Sequence, residues 1–389
     1  MRVLLGGIPL GCDNIGDEAI IACVVRMLKE VLPGVELTVA TADSGTAARL
    51  GVSVVPPYGF AGCGLDGFSE TARRHDAYVW CGATGLSDYP HVALDLLEAA
   101  QDVGVPTFVW GVGMDDELNP VFFRAQGKRR RLLGCLGLVE WYERRLRARL
   151  ARRISAILPR CGGVWLRDPE SARMLAAMGF PGAGIAADTA ILLSSGNGQD
   201  AHSPGGAIPN SELGTRNSKP LTLGLCISTQ RLVADLDGLK EMIAAVRASG
   251  ARIVGIPMNP RTDRALLERL GVTCIPGTTP EAVMDAAAGC NVVLSSRLHL
   301  LILAANAGTP GIGIARGSKL ANWLDNFGEK VAGSVYECDW KNVTERVLSA
   351  LKTRGDWDGR RAAAYERLNA RLDKACGELA RRLEACCGN

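Results

Sequence analysis

The stretch VVLSSRLHLLILAANAGTPGIGIA, residues 292–315, decides the fold. Val292 to Leu294 form an apolar run of the length of a buried strand, and Leu300 to Ala307 have the continuous apolar character of a buried helix. A glycine-containing turn then leads to a second short apolar strand, PGIGIA. Two buried strands joined by a helix make a parallel unit, so this stretch predicts a parallel sheet covered by helices.

The same alternation extends along the chain. We expect helices at residues 15–31, 89–103, 169–179, 235–249, 261–270, 280–288 and 357–387. The other expected strands are RVLLGG, VELTVAT, DAYVWCG, PTFVWG, GGVWLRD, LTLGLCIS, RIVGIP, VTCIP and NVVLSS. Such a pattern predicts an α/β protein with two doubly wound, Rossmann-like domains.

One segment, residues 194–220, interrupts the alternation and is rich in Gly, Ser, Pro and Asn. We interpret it as a linker or a mobile loop. A chain of 389 residues exceeds the size that one hydrophobic core normally serves, so two domains are expected. The predicted divisions are an α/β domain at 1–193, a second α/β domain at 221–355, and a C-terminal helix at 356–389.

Composition excludes several classes of protein. A net charge of +3 gives no general argument for nucleic acid as a partner. The 13 cysteines form no CxxC pair, which favours reduced thiols in the cytoplasm over disulfides or a metal site. Only four histidines are present, and we expect no metal. No secretory signal and no membrane-spanning run are apparent at the sequence level.

The apolar stretch at 292–315 also holds an arginine and a histidine. Leaving Arg297 buried and unpaired would cost several kcal/mol, so it needs an anionic partner. Together with Ser296 it lies where a strand ends and a helix begins, which suits a carboxylate or phosphate ligand. His299 is then placed to transfer a proton to the same ligand. A structural ion pair for Arg297 and a core histidine for His299 are the alternatives.

Other strand ends carry further candidates. The loop GCDNIGDEAI follows the first strand and offers Asn14, Gly16 and Asp17 at a helix start, either as an anion site or as a well-capped helix. Arg167 ends a buried strand, where a salt bridge with Asp168 or a neighbouring carboxylate is the simpler interpretation. Glycine turns in WCGATGLSD and WGVGMDD follow two more strands. Lys319 follows the strand PGIGIA, and we expect it at the same edge as Arg297.

A basic segment from Lys128 to Arg160 contains eleven Lys or Arg residues against Glu140 and Glu143. A solvated helix face is one interpretation. The other is a surface that attracts anionic lipid or a diphosphate-bearing substrate, at roughly 1 kcal/mol per basic residue near a membrane. With few aromatic residues for base stacking, we do not expect nucleic acid to bind here.

Taken together, the motifs resemble those of the polysaccharide pyruvyl transferase family. The matching elements occur in the family's order and are GCDNIGDEAI, GATGLSD, GVGM, LRDPESARML, AADTAILL and SSRLHLLILAANAGTPGIGI. The resemblance implies two domains facing a cleft, as in GT-B glycosyltransferases. It also implies transfer of a pyruvyl group from phosphoenolpyruvate to two hydroxyls of a cell-envelope saccharide, which is lipid-linked in some members, with release of phosphate.

The resemblance carries residue roles with it. Matched by position, Arg167, Arg297, His299 and Lys319 are the donor-site residues. From the chemistry we further expect His299 to be the general acid or the group that assists phosphate departure, and Asp17 to orient or deprotonate an acceptor hydroxyl. Phosphoenolpyruvate is a co-substrate, and no cofactor is expected. The chain departs from the family in its glycine turn, in the length of the 194–220 segment, and in the absence of Asp-Pro before Lys319.

Two other function classes stay open. A nucleotide-sugar glycosyltransferase of GT-B type has the same architecture, but its nucleotide-binding acidic residue has only Glu337 and Asp339 as candidates. A non-catalytic glycan-binding relative is the other, and the Arg297, His299 and Lys319 set argues against it. The sequence leaves the sugar and the oligomeric state undetermined. We expect a cytoplasmic protein that contacts the inner face of the membrane through residues 128–160.

Overall fold

The computed structural model describes residues 1–194, 220–228 and 235–387. It divides into two compact units. The first comprises Met1–Thr189, Gly317–Asn322 and Tyr365–Asn389, and the second comprises Ala190–Arg316 and Trp323–Ala364. Most of the predicted linker at 194–220 lies outside the described residues.

A parallel seven-stranded sheet forms the centre of the first unit. Its strands are β1 (Arg2–Gly6), β2 (Glu36–Ala40), β3 (Ser53–Val55), β4 (Ala77–Cys81), β5 (Thr107–Val112), β6 (Gly163–Leu166) and β7 (Gly184–Ile185). Their order is β3-β2-β1-β4-β5-β6-β7. Because the order reverses between β1 and β4, the crevice outside the carboxyl ends of these two strands is where such sheets bind ligands.

Helices cover this sheet. They are α1 (Ile15–Val31), α2 (Gly45–Leu50), α3 (Phe68–Arg73), α4 (Gly85–Asp88), α5 (Pro90–Asp102), α6 (Pro120–Phe123), α7 (Gly127–Cys135), α8 (Val139–Ile157) and α9 (Pro169–Ala177). The strands β4 and β5 are buried along their whole length, which explains their continuous apolar sequences. The helix α9 begins as its sequence predicts, with Asp168 capping the Ser171 N–H at 2.7 Å and Pro169 in the first turn.

The second unit has a parallel five-stranded sheet. Its strands are β8 (Thr222–Cys226), β9 (Arg252–Gly255), β10 (Val292–Ser295), β11 (Gly311–Ala315) and β12 (Gly333–Ser334), in the order β12-β11-β10-β8-β9. The order reverses between β8 and β10, so Arg297, which follows β10, lies at a second ligand-binding position of this kind of sheet. The predicted strand VTCIP was wrong, because only Cys274 forms a single bridge, to Gly255.

The remaining helices are α10 (Leu236–Ala248), α11 (Thr262–Arg269), α12 (Pro280–Ala288), α13 (Leu298–Asn306), α14 (Ser318–Asp325), α15 (Trp340–Lys352) and α16 (Trp357–Cys387). The predicted long C-terminal helix is therefore confirmed. Its residues are divided between the units, with those up to Ala364 in the second and those from Tyr365 in the first. Within the described residues, no helix is both long and apolar enough to cross a membrane.

Candidate active site

Arg167 is the most deeply buried cation of the predicted site. It follows β6 directly, and its side chain is only 4% exposed. The guanidinium Nε donates to Asp168 Oδ2 at 3.2 Å, and Nη1 lies 3.8 Å from Asp188 Oδ2, beyond hydrogen-bond distance. Nη2 is buried and has no hydrogen-bond partner among the described residues. Since a guanidinium has five N–H donors, this is an unusual deficit for a buried charge.

The loop after β5 is shaped around this arginine. Gly113 lies against the Arg167 guanidinium so closely that a Cβ at this position would collide with it. Beyond the glycine, the Met114 N–H donates to Ser171 Oγ at 2.8 Å, which holds the loop against α9. The GVGM sequence thus has a physical reason. Gly111 adopts a positive φ of 63°, and Gly113 leaves space for a neighbouring side chain.

Lys319 lies in the first unit, on the short segment Gly317–Asn322. Its Nζ is 3.7 Å from Asp115 Oδ2 and 4.0 Å from Asp88 Oδ2, and Asp115 is fully buried. Ser318 fixes the segment, because its N–H donates to Asp115 Oδ1 at 2.6 Å. Lys319 and Arg167 therefore contact loops that follow neighbouring strands of one sheet. The sequence had associated Lys319 with the strand before it, β11, instead.

The loop after β1 mainly builds a helix cap. Asn14 accepts from the Gly16 N–H at 3.2 Å and donates from Nδ2 to Asp17 Oδ2 at 2.7 Å. Asp17 is 2% exposed. The next residue, Glu18, accepts from the Gly11 N–H at 3.0 Å and pairs with Arg49 at 3.0 Å. Burial raises the pKa of the Glu18 carboxyl, while these two donors lower it. The contacts agree with the capped-helix alternative for Asn14, Gly16 and Asp17.

Arg297 has a different environment from Arg167. Its Nε and Nη2 donate to Asp263 Oδ2 and Oδ1 at 3.1 and 2.7 Å, a two-pronged contact with a carboxylate that is fully buried. Asp263 also accepts from the Asn259 N–H at 2.9 Å. The Arg297 side chain is 22% exposed. A structural ion pair, one of the two interpretations of Arg297, is therefore present in the fold.

The residues around Arg297 are tied to the neighbouring strand end. Ser296 Oγ accepts from the Ser228 N–H at 2.7 Å, which joins the ends of β8 and β10. Burial, followed by the nearby Asp263 charge, raises the pKa of the Cys226 thiol well above its usual value. This thiol is therefore an inert core group. His299 lies half-buried in the first turn of α13.

The structure thus divides the predicted donor residues between the two units. Arg167 and Lys319 lie in the first unit, and Arg297 and His299 lie in the second. Four partner carboxylates were not predicted as site residues: Asp88, Asp115, Asp188 and Asp263. For Asp188 a signal was present in the AADTAILL motif. Asp263 precedes Arg297 by 34 residues and has no local signal. No group of three or more metal-ligating side chains occurs in the described part of the chain.

A model of one protein family matches residues 14–318, most of the chain, under the description polysaccharide pyruvyl transferase. The chain belongs to this family. A search of curated proteins gave no match. The family assignment agrees with the motifs at Asn14, Gly113, Arg167 and Arg297, all of which lie inside the matched residues.

Solved structures show the fold that this polysaccharide pyruvyl transferase family member adopts. A glycosyltransferase of kitacinnamycin superposes with a TM-score of 0.56 at 13% identity, covering 98% of both chains. A UDP-GlcNAc 2-epimerase from Neisseria meningitidis, bound to UDP-GlcNAc, gives 0.53 at 12% identity, covering 99% of this chain and all of the other. At these identities the likeness establishes the fold alone, which is the GT-B-like architecture expected from the sequence.

Proposed function

We propose that the protein transfers the pyruvyl group of phosphoenolpyruvate to two hydroxyls of a saccharide, forming a ketal and releasing phosphate. Family membership supports the pyruvyl transfer. The acceptor in this proposal is a cell-envelope polysaccharide or its lipid-linked precursor, and the reaction takes place in the cytoplasm. Phosphoenolpyruvate is a co-substrate, and the proposal includes no cofactor.

The observation that carries the proposal is the buried Arg167 guanidinium, whose Nη2 has no hydrogen-bond partner among the residues that the structure describes. A buried donor without an acceptor is costly, and a ligand oxygen removes that cost. Carboxylate and phosphate oxygens are the acceptors that arginine binds best, and phosphoenolpyruvate carries both groups. We assign Arg167 and Lys319 to binding the donor's anionic groups.

The chemistry then needs two proton transfers. The methylene carbon of phosphoenolpyruvate gains a proton and becomes a methyl group, one saccharide oxygen bonds to the central carbon, and a second oxygen displaces phosphate from it. The two hydroxyls lose two protons, one of which balances the new methyl group while the other leaves with phosphate. We assign the proton delivery to His299, because histidine is the side chain that most often transfers protons in general acid–base catalysis.

Arg297 also takes part in the proposed reaction, as a positive charge of fixed position. Its guanidinium is held in one orientation by Asp263, so it enters the reaction as a fixed positive group at the β10 end. Asp17 is a weak candidate for the acceptor-side base, because its carboxylate is 2% exposed and already accepts from Asn14. Asn14, Gly16 and Ser296 serve to shape the loops rather than to contact substrate.

A nucleotide-sugar glycosyltransferase is the second candidate, favoured by the fold of the UDP-GlcNAc-bound epimerase and the glycosyltransferase. Its acidic residue would have to come from Glu337 or Asp339. Asp339 caps α15, where it accepts from the Asn342 N–H at 3.1 Å. Thermal-shift measurements with phosphoenolpyruvate, UDP-glucose and GDP-mannose separate the two functions. A shift caused by a nucleotide sugar and not by phosphoenolpyruvate would reject the pyruvyl transfer.

His299→Gln tests the mechanism. We expect phosphoenolpyruvate affinity and melting temperature close to those of the wild type, and turnover lower by roughly 10²–10⁴-fold, as is typical of a lost general acid. Phosphate release and ketal formation by mass spectrometry measure the turnover. His75→Gln is the matched control, since His75 is also half-buried and has no role in the proposed reaction; its Nδ1 lies 2.8 Å from the Thr71 carbonyl oxygen. Full turnover in His299→Gln would remove the assigned role while leaving the family assignment intact.

A further inference from the structure

The helices α7 and α8 and the short helix before them form a surface that the pyruvyl transfer does not use. We call residues 121–160 the basic hairpin. It holds six of the eleven large hydrophobic side chains that are exposed in the described part of the chain: Val121, Phe122, Leu132, Leu136, Leu138 and Trp141. Leu132 and Leu136 are 64% and 60% exposed and lie four residues apart, which places them on one side of the helix end. The helix α7 buries none of its residues.

The same hairpin concentrates the protein's positive charge. From Lys128 to Arg160, eleven basic residues face two carboxylates, a net charge of +9 in a chain whose total is +3. Of these eleven, only Arg153 and Arg160 form ion pairs with carboxylates in the described structure. On α8 the side chains of Arg145, Arg149 and Arg152 line a groove of about 620 Å³. Unpaired arginines at a groove are suited to phosphate oxygens.

We propose that the basic hairpin is a docking surface for an anionic lipid bilayer, with the α8 groove receiving phosphate headgroups. A helical surface that combines arginines with exposed leucine and tryptophan lies in the interfacial plane of a membrane, where charges meet headgroups and apolar side chains enter the acyl region. Trp141 fits this placement, since the Arg145 guanidinium lies 5.5 Å from the centre of its ring.

Charge and hydrophobicity together select the bilayer over other partners. A second copy of the chain would bring the same +9 surface against itself in a symmetric dimer, which is repulsive. Nucleic acid would account for the arginines but not for exposed Leu132 and Leu136, and among the exposed large side chains of the hairpin the aliphatic ones outnumber the two aromatic rings, Phe122 and Trp141, that could stack on bases. The proposal is independent of the pyruvyl reaction, because it concerns binding without substrate.

Vesicle sedimentation tests the charge requirement. The whole chain should bind vesicles of 30% phosphatidylglycerol in phosphatidylcholine and should not bind pure phosphatidylcholine, with binding lost at high salt. Replacing Arg144, Arg145, Arg147 and Arg149 with Gln should weaken binding by roughly 100- to 1,000-fold at low salt. The matched control removes the same charge elsewhere, with Arg252, Arg269, Lys341 and Lys352 replaced by Gln, and should bind as the wild type does. Equal binding of the two variants would overturn the proposal.

Insertion of the apolar side chains has its own readout. Trp141 is 49% exposed, whereas the other six tryptophans are at most 7% exposed. Brominated phosphatidylcholine in the anionic vesicles should therefore quench the fluorescence of Trp141 almost alone, and Trp141→Phe should abolish the quenching while the melting temperature stays the same. Leu132→Ser with Leu136→Ser should weaken vesicle binding, and Leu65→Ser with Ile185→Ser is the control. Absent quenching, or tighter binding to RNA than to vesicles that ignores the leucine changes, would reject bilayer docking.

Discussion

Arg167 and Arg297 lie at similar strand-to-helix junctions, one in each unit, and differ in their burial and in their hydrogen-bond partners. Each follows a buried parallel strand and precedes a helix, yet Arg297 grips a buried carboxylate with two hydrogen bonds, whereas Arg167 makes one. Arg167 is also the more buried of the two, at 4% against 22% side-chain exposure. A sequence position at a strand end therefore does not distinguish an arginine held by the fold from one that needs a ligand. The partners do.

The difference reverses the order of importance that the sequence indicated. From the sequence, Arg297 was the principal anion-binding residue, and a salt bridge was the simpler interpretation of Arg167. In the structure both arginines contact carboxylates, but of the two it is Arg167 that has a buried guanidinium nitrogen, Nη2, without a hydrogen bond among the described residues. Breaking the Arg297 ion pair is thus expected to lower the free energy of unfolding more than loss of Arg167 does. Loss of Arg167 is expected to weaken phosphoenolpyruvate binding more.

The largest expected effect is on stability, from Asp263→Asn. Removing the carboxylate charge breaks the ion pair and the two-pronged contact with Arg297. Breaking a buried ion pair lowers the free energy of unfolding by about 3–5 kcal/mol. We expect the lower end of this range because Arg297 is partly exposed. Urea unfolding measures the change. Asp237→Asn is the matched control, since Asp237 pairs with Lys240 at the same 2.7 Å but on the surface, where water and salt screen the charges and the pair contributes little to stability. Similar losses in the two variants would mean that burial of the Arg297 pair has no special weight.

A middle-sized effect is expected on donor binding, from Arg167→Gln. Losing a hydrogen bond from a charged group costs roughly 1.5–3 kcal/mol, so phosphoenolpyruvate affinity should fall by roughly 10- to 100-fold. Calorimetric titration measures it, with Arg173→Gln on the exposed side of α9 as the control. If affinity is unchanged and the melting temperature falls, Arg167 is a structural ion pair like Arg297, and the distinction between the two sites disappears.

Much of the architecture could be predicted because it depends on local patterns. Each of these patterns depends on residues that are close together in the sequence. Examples are the short apolar strands, Pro169 at the start of α9 and the apolar face of α16. The failure at VTCIP has a physical reason too. Its Val272 is buried, but only Cys274 forms a β-bridge to a neighbouring strand. The apolar pattern therefore reported burial, and the hydrogen bonds of a regular strand are not formed.

The site was harder to predict because its partners are distant in the chain. Asp263 and Arg297 are 34 residues apart, and Asp115 receives the Ser318 N–H across 203 residues. No spacing rule connects such residues, so Lys319 could be recognised as a cation at a strand end but not as a neighbour of Asp115. The glycine motif GVGM could be recognised in the sequence. The sequence did not show that Gly113 is needed there because the Arg167 guanidinium packs against it.

The smallest effect, and the sharpest test of the Arg167 environment, is expected from Gly113→Ala. The added methyl would enter the space of the guanidinium, which must move while keeping its charge. A displacement of this kind should lower phosphoenolpyruvate affinity by about tenfold, less than the loss of the side chain, because misplaced catalytic contacts are weakened rather than removed. Gly377→Ala in α16 is the control, since no atom lies near a Cβ there and a helix-interior alanine should stabilise by about 0.5–1 kcal/mol.

The double variant, Gly113→Ala with Arg167→Gln, tests whether Gly113 acts through Arg167. If Gly113 matters only through Arg167, the alanine should have no further effect on affinity once the guanidinium is gone, and an additive loss would show that the loop after β5 contacts the donor by itself.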